Sequence, residues 1–321
     1  MAQVTYKVGV VGLGAVGARM VKNMQTHDRF EPVAGFDTSV TACAALTEIA
    51  PKMRSSNDFE ALLLRDDIDV LYVCTPPKSH AEFVRHGISK GWNIFCEKPL
   101  GVDVADSERL VEEMNGSGLG QAVNFVYSGA PAALRAKKLI NEGAIGEILG
   151  AELDLRLSNW PRAFQSGAEW LSTRAEGGFV REMMSHYAYL TLVLMGKPNL
   201  NNQVLAHFEP NGGAENLMLA IWDTAMGKVT VSGVVGGNRN DTVSFRILGS
   251  KGCLFFDNWY GLFLESKAGT ERVLDLKQQS PAAAYQGQLD QLALQLNDKK
   301  QRLATFSDAL CVQKLIEKMV A

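Results

Sequence analysis

The first 125 residues alternate short apolar runs with stretches of helical period. The apolar runs cover residues 7–11, 30–37, 69–74, 92–96 and 121–125. They are short and include many branched or aromatic side chains, as buried strands do. Helical patterns lie between them, and the one from Pro76 to Gly91 has a proline at its start and a glycine at its end. Strands separated by helices pair in parallel, so this half predicts a doubly wound α/β sheet.

The rest of the chain changes to one strand after another. Segments between residues 148 and 266 alternate or run apolar, and glycine, asparagine and aspartate turns separate them. A helical stretch from Phe179 to Met195 interrupts the series, and another closes the chain from about Gln286. We therefore predict a cofactor domain at residues 1–125 and an α+β domain with a large, mostly antiparallel sheet at 126–321, including the closing helix. Too few helices remain to cover both sheet faces, which predicts a homodimer or homotetramer.

Composition limits the functional class. Apolar residues make up 46 % of the chain, and its formal net charge of −3 comes from interspersed charges without a basic stripe. A nucleic-acid partner is therefore not expected. No apolar run has the length of a membrane span, and the N-terminus runs into a strand without an export signal, so we expect a cytoplasmic protein. The five cysteines form no close pair or Cys/His cluster, which predicts neither metal site nor disulfide.

A glycine motif, G-x-G-x-x-G, joins the first strand to the first helix at residues 12–17. In this setting the glycines allow a tight turn, close approach of a pyrophosphate and close helix–strand packing. Asp37 ends the second strand, 20 residues after Gly17, where a carboxylate accepts hydrogen bonds from ribose and repels a 2′-phosphate. We predict that NAD, with NADP as the alternative, is bound by Gly12, Gly14, Ala15, Val16, Gly17 and Asp37. A tight turn alone, or a helix cap at Asp37, would explain the same residues without a cofactor.

Further candidates follow the later strands of this half. Thr75 and Pro76 come after the run 69–74, and Glu97 and Lys98 come after the run 92–96. Ligands of doubly wound sheets bind beyond the carboxyl ends of the strands. An acid and a base at this edge therefore indicate function rather than a simple strand exit.

Together these motifs resemble the glucose–fructose oxidoreductase and inositol dehydrogenase (Gfo/Idh/MocA) family. The segments VGLGAVG, DVLYVCTPPKSHAEFV and CEKPL match the family in order and spacing, and LINEGAIGEI matches the lead into its second domain. GGFVREMMSHYAYL occupies the place of a glycine-rich turn followed by an acid and a histidine. The resemblance spans essentially the whole chain. It implies a Rossmann domain, a substrate domain, and hydride transfer between nicotinamide and a carbinol carbon of a sugar or cyclitol.

The resemblance also implies catalytic roles. Lys98 is the lysine of the E-K-P motif and would hold the substrate oxygen. His186 is the histidine of the second-domain motif, and its ordinary pKa suits proton transfer. Glu182 stands where the family usually has aspartate and, at spacing i, i+4, would orient the imidazole; an ordinary helix-surface pair is the alternative. Thr75, Pro76, His80, Glu97 and also Lys98 would lie near the cofactor. A plain first-turn position is the alternative for His80.

Several positions depart from the family and leave the substrate open. Met184 and Tyr189 replace a common glycine and aspartate, and NFVYSG stands where an aromatic–arginine pair is frequent. Tyr127 and Trp160 are candidates for the substrate pocket, since aromatic faces suit sugar rings, and core packing is their alternative role. Two other functions also remain: a glycoside hydrolase that uses bound NAD catalytically, and a non-catalytic nucleotide sensor.

Overall fold

Two units make up the chain, and the computed structural model describes residues 4–165, 167–238 and 240–321. The first unit comprises Met1–Gly129 and Tyr285–Leu310, and the second comprises Ala130–Ala284 and Cys311–Ala321. None of the helices in these described ranges has the length and apolar character needed to cross a membrane.

The first unit contains a six-stranded parallel sheet in the order β3-β2-β1-β4-β5-β6. Its strands are β1 Tyr6–Val11, β2 Phe30–Phe36, β3 Arg54–Ser56, β4 Val70–Val73, β5 Asn93–Glu97 and β6 Gln121–Asn124. Its crossover helices are α1 Ala15–Gln25, α2 Val40–Ile49, α3 Phe59–Leu63, α4 His80–Ser89 and α5 Val104–Ser117. This is the predicted doubly wound sheet. The strand order reverses between β1 and β4, which is where such sheets bind their ligands.

Local sequence explains where these elements lie. All four residues of β4 are buried, because helices cover both faces of a parallel sheet. Asp58 and Asp103 accept hydrogen bonds from backbone N–H groups in the first turns of α3 and α5, respectively. Gly118 ends α5 in the left-handed region, at φ +70°. Because the strands are parallel and these helices connect them, the carboxyl ends of all six strands lie at the same edge of the sheet.

The segment Tyr285–Leu310 packs with the first unit, whereas the sequence placed the whole closing helix in the second domain. The side-chain amides of Gln288 and Gln295, in α8 Pro281–Asp298, donate to the carbonyl oxygens of Phe125 and Gln121. The N–H of Val123 in β6 donates to the carbonyl oxygen of Ala304. Since β6 is the edge strand, its backbone needs such partners, and this segment supplies them.

The second unit contains an eight-stranded mixed sheet in the order β14-β13-β12-β11-β7-β10-β9-β8, in which only β7 and β10 pair in parallel. Its strands are β7 Ile148–Leu157, β8 Asn199–Phe208, β9 Glu215–Thr224, β10 Gly227–Val235, β11 Thr242–Gly249, β12 Cys253–Asp257, β13 Gly261–Ser266 and β14 Gly269–Arg272. The helices are α6 Pro131–Asn141, α7 Ser185–Met195 and the end of α9 Phe306–Val320. The mostly antiparallel sheet was predicted. β14, whose residues are all exposed, and the division of the closing helix into α8 and α9 were not.

Candidate active site

The glycine-rich loop has the geometry that a dinucleotide needs. Gly12 has φ +95°, and a Cβ atom there would lie 2.6 Å from the carbonyl oxygen of Cys74. A Cβ at Gly17 would lie 2.0 Å from the carbonyl oxygen of Gly12, so both positions exclude any side chain. A Cβ at Gly14 would have no atom within 4 Å among the described residues, which leaves open space beside the backbone. The first turn of α1 contains no acidic residue to repel a phosphate. These residues fit a pyrophosphate at the start of α1.

Asp37 links this loop to the end of β2. Its Oδ2 accepts a hydrogen bond from the N–H of Leu13 at 2.7 Å, and its Oδ1 accepts one from the N–H of Ser39 at 2.8 Å. The cap of α2 comes from Ser39, whose hydroxyl accepts from the N–H of Ala42. A carboxylate oxygen can accept more than one hydrogen bond, so Asp37 retains capacity for ribose hydroxyls.

Glu97 lies in a polar network at the ends of β4, β5 and β6. Its Oε1 accepts hydrogen bonds from the hydroxyl of Tyr72 at 2.5 Å and from the amide of Asn124 at 2.6 Å. Burial, and then the charge of Glu97, raise the pKa of Tyr72 well above its ordinary value. The amide oxygen Oδ1 of Asn124 is buried without a hydrogen-bond donor among the described residues. A buried acceptor of this kind fits a donor that a bound cofactor brings.

His80 joins the segments that follow β4 and β5. Its side chain is fully buried, with Nδ1 2.8 Å from the carbonyl oxygen of Pro99 and Nε2 2.8 Å from that of Thr75. Burial lowers the pKa of His80, as does the charge of Lys98, while the two carbonyls act in the opposite direction. His80 therefore holds backbone on either side, including the cis Lys98–Pro99 peptide. Its contribution to cofactor binding would pass through that backbone. Pro76 precedes the short turn Pro77–Ser79 that leads into α4.

Glu182 and His186 occupy one continuous helical segment of the second unit. Glu182 lies in a π-helical turn, Val180–Met184, and His186 lies in the first turn of α7. The side-chain amide of Gln165 donates to Oε1 of Glu182 at 3.5 Å, and the Gln165 oxygen accepts from Nε of Arg162 at 3.1 Å. Burial lowers the pKa of Arg162, while the nearby charge of Glu182 raises it. The predicted acid thus lies beside an amide and a guanidinium. π-helical turns often occur at functional sites.

Trp259 packs against the predicted catalytic histidine. The rings of His186 and Trp259 meet edge to face, with centroids 5.5 Å apart and an interplanar angle of 82°. Trp259 has φ +77°, which is unusual for an aromatic residue, and it lies between β12 and β13. The sequence reading missed it. The signal was a large aromatic residue inside the turn Asn258–Gly261, where small polar residues are common.

The two predicted aromatic substrate residues differ in environment. The indole N–H of Trp160 donates to the carbonyl oxygen of Leu171 at 2.8 Å, and its ring packs edge to face on Phe179. Trp160 is half-buried, so part of its surface remains accessible. Tyr127 is 2 % exposed and belongs to the first unit. Trp160 shares the second unit with Glu182 and His186, and the cofactor candidates all belong to the first unit.

The glycine loop between β1 and α1 and the doubly wound parallel sheet are typical of a dinucleotide-binding domain. Residues 6–125 match the oxidoreductase family with an NAD-binding Rossmann fold, and residues 133–255 match the GFO/IDH/MocA C-terminal domain. The chain belongs to the Gfo/Idh/MocA family, as its motifs indicated. The predicted class, an NAD-binding dehydrogenase or reductase acting on CH–OH groups, is confirmed.

Individual relatives agree with this class. The chain is 27 % identical over 290 residues to dTDP-3,4-didehydro-2,6-dideoxy-alpha-D-glucose 3-reductase of Streptomyces violaceoruber, covering 86 % of this chain and 82 % of that protein. It is 27 % identical over 286 residues to levoglucosan dehydrogenase of Pseudarthrobacter phenanthrenivorans, covering 78 % and 73 %. A solved levoglucosan dehydrogenase with NADH and levoglucosan superposes with a TM-score of 0.83 at 18 % identity, covering 98 % and 97 %. Other curated relatives align over less than half of their own length. These relatives give no support to the hydrolase or sensor alternatives.

Proposed function

We propose that the chain oxidises a secondary alcohol, or reduces the matching ketone, of a small polyhydroxylated ring such as a sugar or cyclitol. The observation that carries this proposal is the placement of Glu182 and His186 four residues apart on one helical segment, with the ring of Trp259 against His186. Hydroxyl groups need donors and acceptors, and the apolar face of a sugar ring needs an aromatic neighbour. The names of the relatives, which act on a deoxysugar nucleotide and on levoglucosan, support the same substrate class.

The chemistry divides between the side chains of this chain. Bound NAD supplies the hydride acceptor or donor. His186 takes the proton of the substrate hydroxyl during oxidation and returns it during reduction. Glu182 stabilises the imidazolium that results, and Gln165 steadies Glu182. Lys98 donates to the reacting oxygen and stabilises its developing negative charge. Trp160 and Tyr127 are proposed to shape the substrate site, and Thr75, Pro76, His80 and Glu97 the nicotinamide end of the cofactor site.

The cofactor preference is proposed to be NAD over NADP. Asp37 places a carboxylate at the end of β2, where the adenosine ribose of a dinucleotide binds in this fold. Thr38 and Ser39 follow it, and neither brings a positive charge to a 2′-phosphate. We propose residues 1–125 as the core of the cofactor domain, to which Tyr285–Leu310 also contributes, and the remaining residues as the substrate domain.

We also propose a cytoplasmic homodimer or homotetramer that uses the sheet face remote from the buried core. Leu219, on β9, projects on this face and is 40 % exposed. Arg246 on β11 stacks over the ring of Phe255 on β12, 3.9 Å from its centroid, and pairs with Glu265 on β13. Aromatic residues and arginine are enriched at protein interfaces, so Phe255 and Arg246 support this assignment.

A substrate screen tests the proposed function. Purified protein is incubated with sugars, cyclitols and their ketones, with NAD(H) or NADP(H), while the absorbance of reduced nicotinamide is followed. Stoichiometric NADH production from one polyhydroxylated alcohol, lost in His186→Ala, is the expected result. Cleavage of a glycoside with catalytic NAD and no net NADH would replace this proposal with the hydrolase.

A further inference from the structure

The helical segment that carries Glu182 and His186 begins without a cap from its own sequence. Phe179 precedes the π-helical turn and makes no side-chain hydrogen bond to it. The first N–H groups of a helix need acceptors, particularly where water is excluded. Val180 is fully buried, so its N–H needs a protein partner.

Glu215, the first residue of β9, supplies that partner from 35 residues along the chain. Its side chain is buried, at 1 % exposure, and its Oε1 accepts from the N–H of Val180 at 2.6 Å. A carboxylate is well suited to the positive end of a helix. The start of the segment is therefore fixed by a residue of the sheet, not by the helix itself.

Gly178 makes room for this carboxylate. It has φ +97°, and a Cβ atom there would lie 2.2 Å from Oε2 and 2.5 Å from Oε1 of Glu215. Gly177 is equally confined, since its Cβ would lie 2.4 Å from the carbonyl oxygens of Trp170 and Leu171. The glycine pair before the helix is thus explained by two close approaches, one to backbone and one to the Glu215 side chain.

The backbone around Glu215 is also held in place. The N–H of the preceding residue, Ala214, donates to the carbonyl oxygen of Ser172 at 2.8 Å, and Thr173 pairs with Gly213 in a β-bridge. The N–H of Gly178 donates to the carbonyl oxygen of Leu171 at 3.0 Å. One short segment, residues 171–173, therefore contacts both the glycine turn and the strand that carries Glu215. These contacts hold the backbone from which the Glu215 side chain reaches Val180.

The second carboxylate oxygen of Glu215, Oε2, lowers the stability of the folded protein, because it is buried without a hydrogen-bond partner among the described residues. Burial raises the pKa of Glu215, while the Val180 amide lowers it. A glutamine or leucine would avoid a buried carboxylate. A buried polar atom that lacks a partner calls for an explanation, and a functional constraint is one.

We propose that Glu215 is a positioning residue: through the N–H of Val180, and in the space left by Gly178, it sets where the helical segment begins and so where Glu182 and His186 project. This inference rests on the proposed function for its effect on turnover. Its structural part, that the position of the His186 side chain depends on Glu215, does not rest on the proposed function.

The test reads His186 directly as well as through activity. In protein labelled with isotopic histidine, the five histidines give separable imidazole NMR signals, and His186→Ala assigns the relevant one. Glu215→Ala is expected to shift the His186 signal, to leave those of His27 and His80 in the first unit unchanged, and to leave NAD affinity unchanged. Turnover should fall by up to about a hundredfold, as expected when a reacting group is displaced by about 1 Å.

Three further variants separate positioning from general damage. Glu215→Gln keeps an acceptor oxygen for Val180 and should retain the His186 signal and most of kcat. Glu215→Asp withdraws the carboxylate by one methylene and should behave like Glu215→Ala. Gly178→Ala crowds the carboxylate without changing it and should shift the same signal. Glu209→Gln, at an exposed glutamate in the connection between β8 and β9, is the matched control.

The outcomes are distinguishable. An unmoved His186 signal in the folded Glu215→Ala, Glu215→Asp and Gly178→Ala variants overturns the proposal, whatever happens to activity. If Glu215→Ala does not fold, Glu215→Asp and Gly178→Ala decide in the same way. If His186→Ala keeps wild-type turnover while Glu215→Ala still moves the His186 signal, the catalytic role of His186 fails and the positioning role of Glu215 stands.

Discussion

The backbone N–H of Leu13 donates a hydrogen bond to Oδ2 of Asp37 at 2.7 Å. Leu13 lies inside the glycine-rich loop, and Asp37 lies at the end of the neighbouring strand β2. One carboxylate thus fixes the loop that we assign to the phosphates and stands where the ribose is expected. We therefore expect a change at Asp37 to affect both the cofactor preference and the geometry of the loop.

Replacing Asp37 with Ala should therefore narrow the preference for NAD and also weaken NAD binding. A hydrogen bond to a charged group contributes about 1.5–3 kcal/mol, so the NAD Kd should rise roughly ten- to hundredfold. The NADP Kd should rise less, because repulsion of the 2′-phosphate disappears at the same time. Titration of each cofactor into the protein in a calorimeter measures the Kd of NAD and the Kd of NADP.

The control for that change is Ser39→Ala, which removes the cap of α2 but leaves Asp37 in place. It should lower stability by about 0.5–2 kcal/mol without changing the ratio of the two affinities. Tighter binding of NADP than NAD by the wild-type protein would show that Asp37 does not select the cofactor.

Lys98→Met should nearly abolish turnover and leave NAD affinity almost unchanged. Methionine keeps much of the aliphatic stem but removes the donor and the charge that we assign to the reacting oxygen. Loss of one such donor costs about 3–4 kcal/mol in the transition state. Steady-state kinetics, NAD titration and a melting curve on one preparation give the three quantities.

A structural role for Lys98 makes the opposite prediction, namely a lower Tm with activity retained. Lys78→Met is the matched control, because Lys78 is an exposed lysine of the same unit, just before α4. A destabilised but active Lys98→Met protein would remove Lys98 from the catalytic set.

His186→Ala should lower kcat by about 10²–10⁴-fold, the range typical of a lost general acid–base group. Glu182→Gln should lower it less, since the glutamine keeps the shape and the contact with Gln165 but loses the charge that stabilises the imidazolium. His207→Ala, at an exposed histidine of the same unit, serves as control and should have no effect. Equal and negligible effects on kcat at His186 and Glu182 would mean that the two are an ordinary helix-surface pair without a catalytic role.

The repeating parts of the fold could be predicted from the sequence because their causes are local. Gly12 and Gly17 are set by a turn and a close packing contact, and the helix caps at Asp58 and Asp103 act within a few residues. The spacing of apolar residues then distinguishes the first half, where strands alternate with helices, from the second half, where one strand follows another. These features need no knowledge of which distant residues meet.

The parts that were missed depend on long-range pairing. Gln288 and Gln295 read as polar positions on a closing helix, and their burial follows from the exposed edge of β6, which the sequence does not reveal. Glu215 reads as an ordinary polar residue at a strand start, and only the folded chain brings it to Val180. Trp259 reaches His186 through the turn between β12 and β13, for the same reason.

The oligomer prediction depends on the outward face of the second sheet. Light scattering at micromolar concentration should give at least a dimer. Leu219→Glu together with Phe255→Glu should shift the mass toward the monomer, since two charges would lie at the proposed contact. Exchange of the exposed Leu64, in the first unit, for Glu is the control. A monomeric wild-type protein would contradict the prediction and would mean that this sheet face is exposed to solvent.

The burial of His80 predicts a specific pH dependence of stability. Its folded pKa is lowered from the ordinary value of 6.5, first by burial and in addition by the charge of Lys98. In the window between the lowered value and 6.5, the unfolded chain therefore binds a proton that the folded chain does not. Stability contributed by neutral His80 is then present above this window and is lost as the pH falls through it.

His80→Gln removes the titration while its amide can still donate to one of the two carbonyl oxygens. Urea unfolding at about pH 7.5 and about pH 5.5 should show a larger loss of stability on acidification for the wild type than for His80→Gln. Groups that titrate in both proteins cancel in this comparison. His86→Gln, six residues further along α4 than His80, is the control and should follow the wild type. Parallel pH profiles for wild type and His80→Gln would mean that the two carbonyl contacts offset burial, so that His80 protonates alike in the folded and unfolded chains.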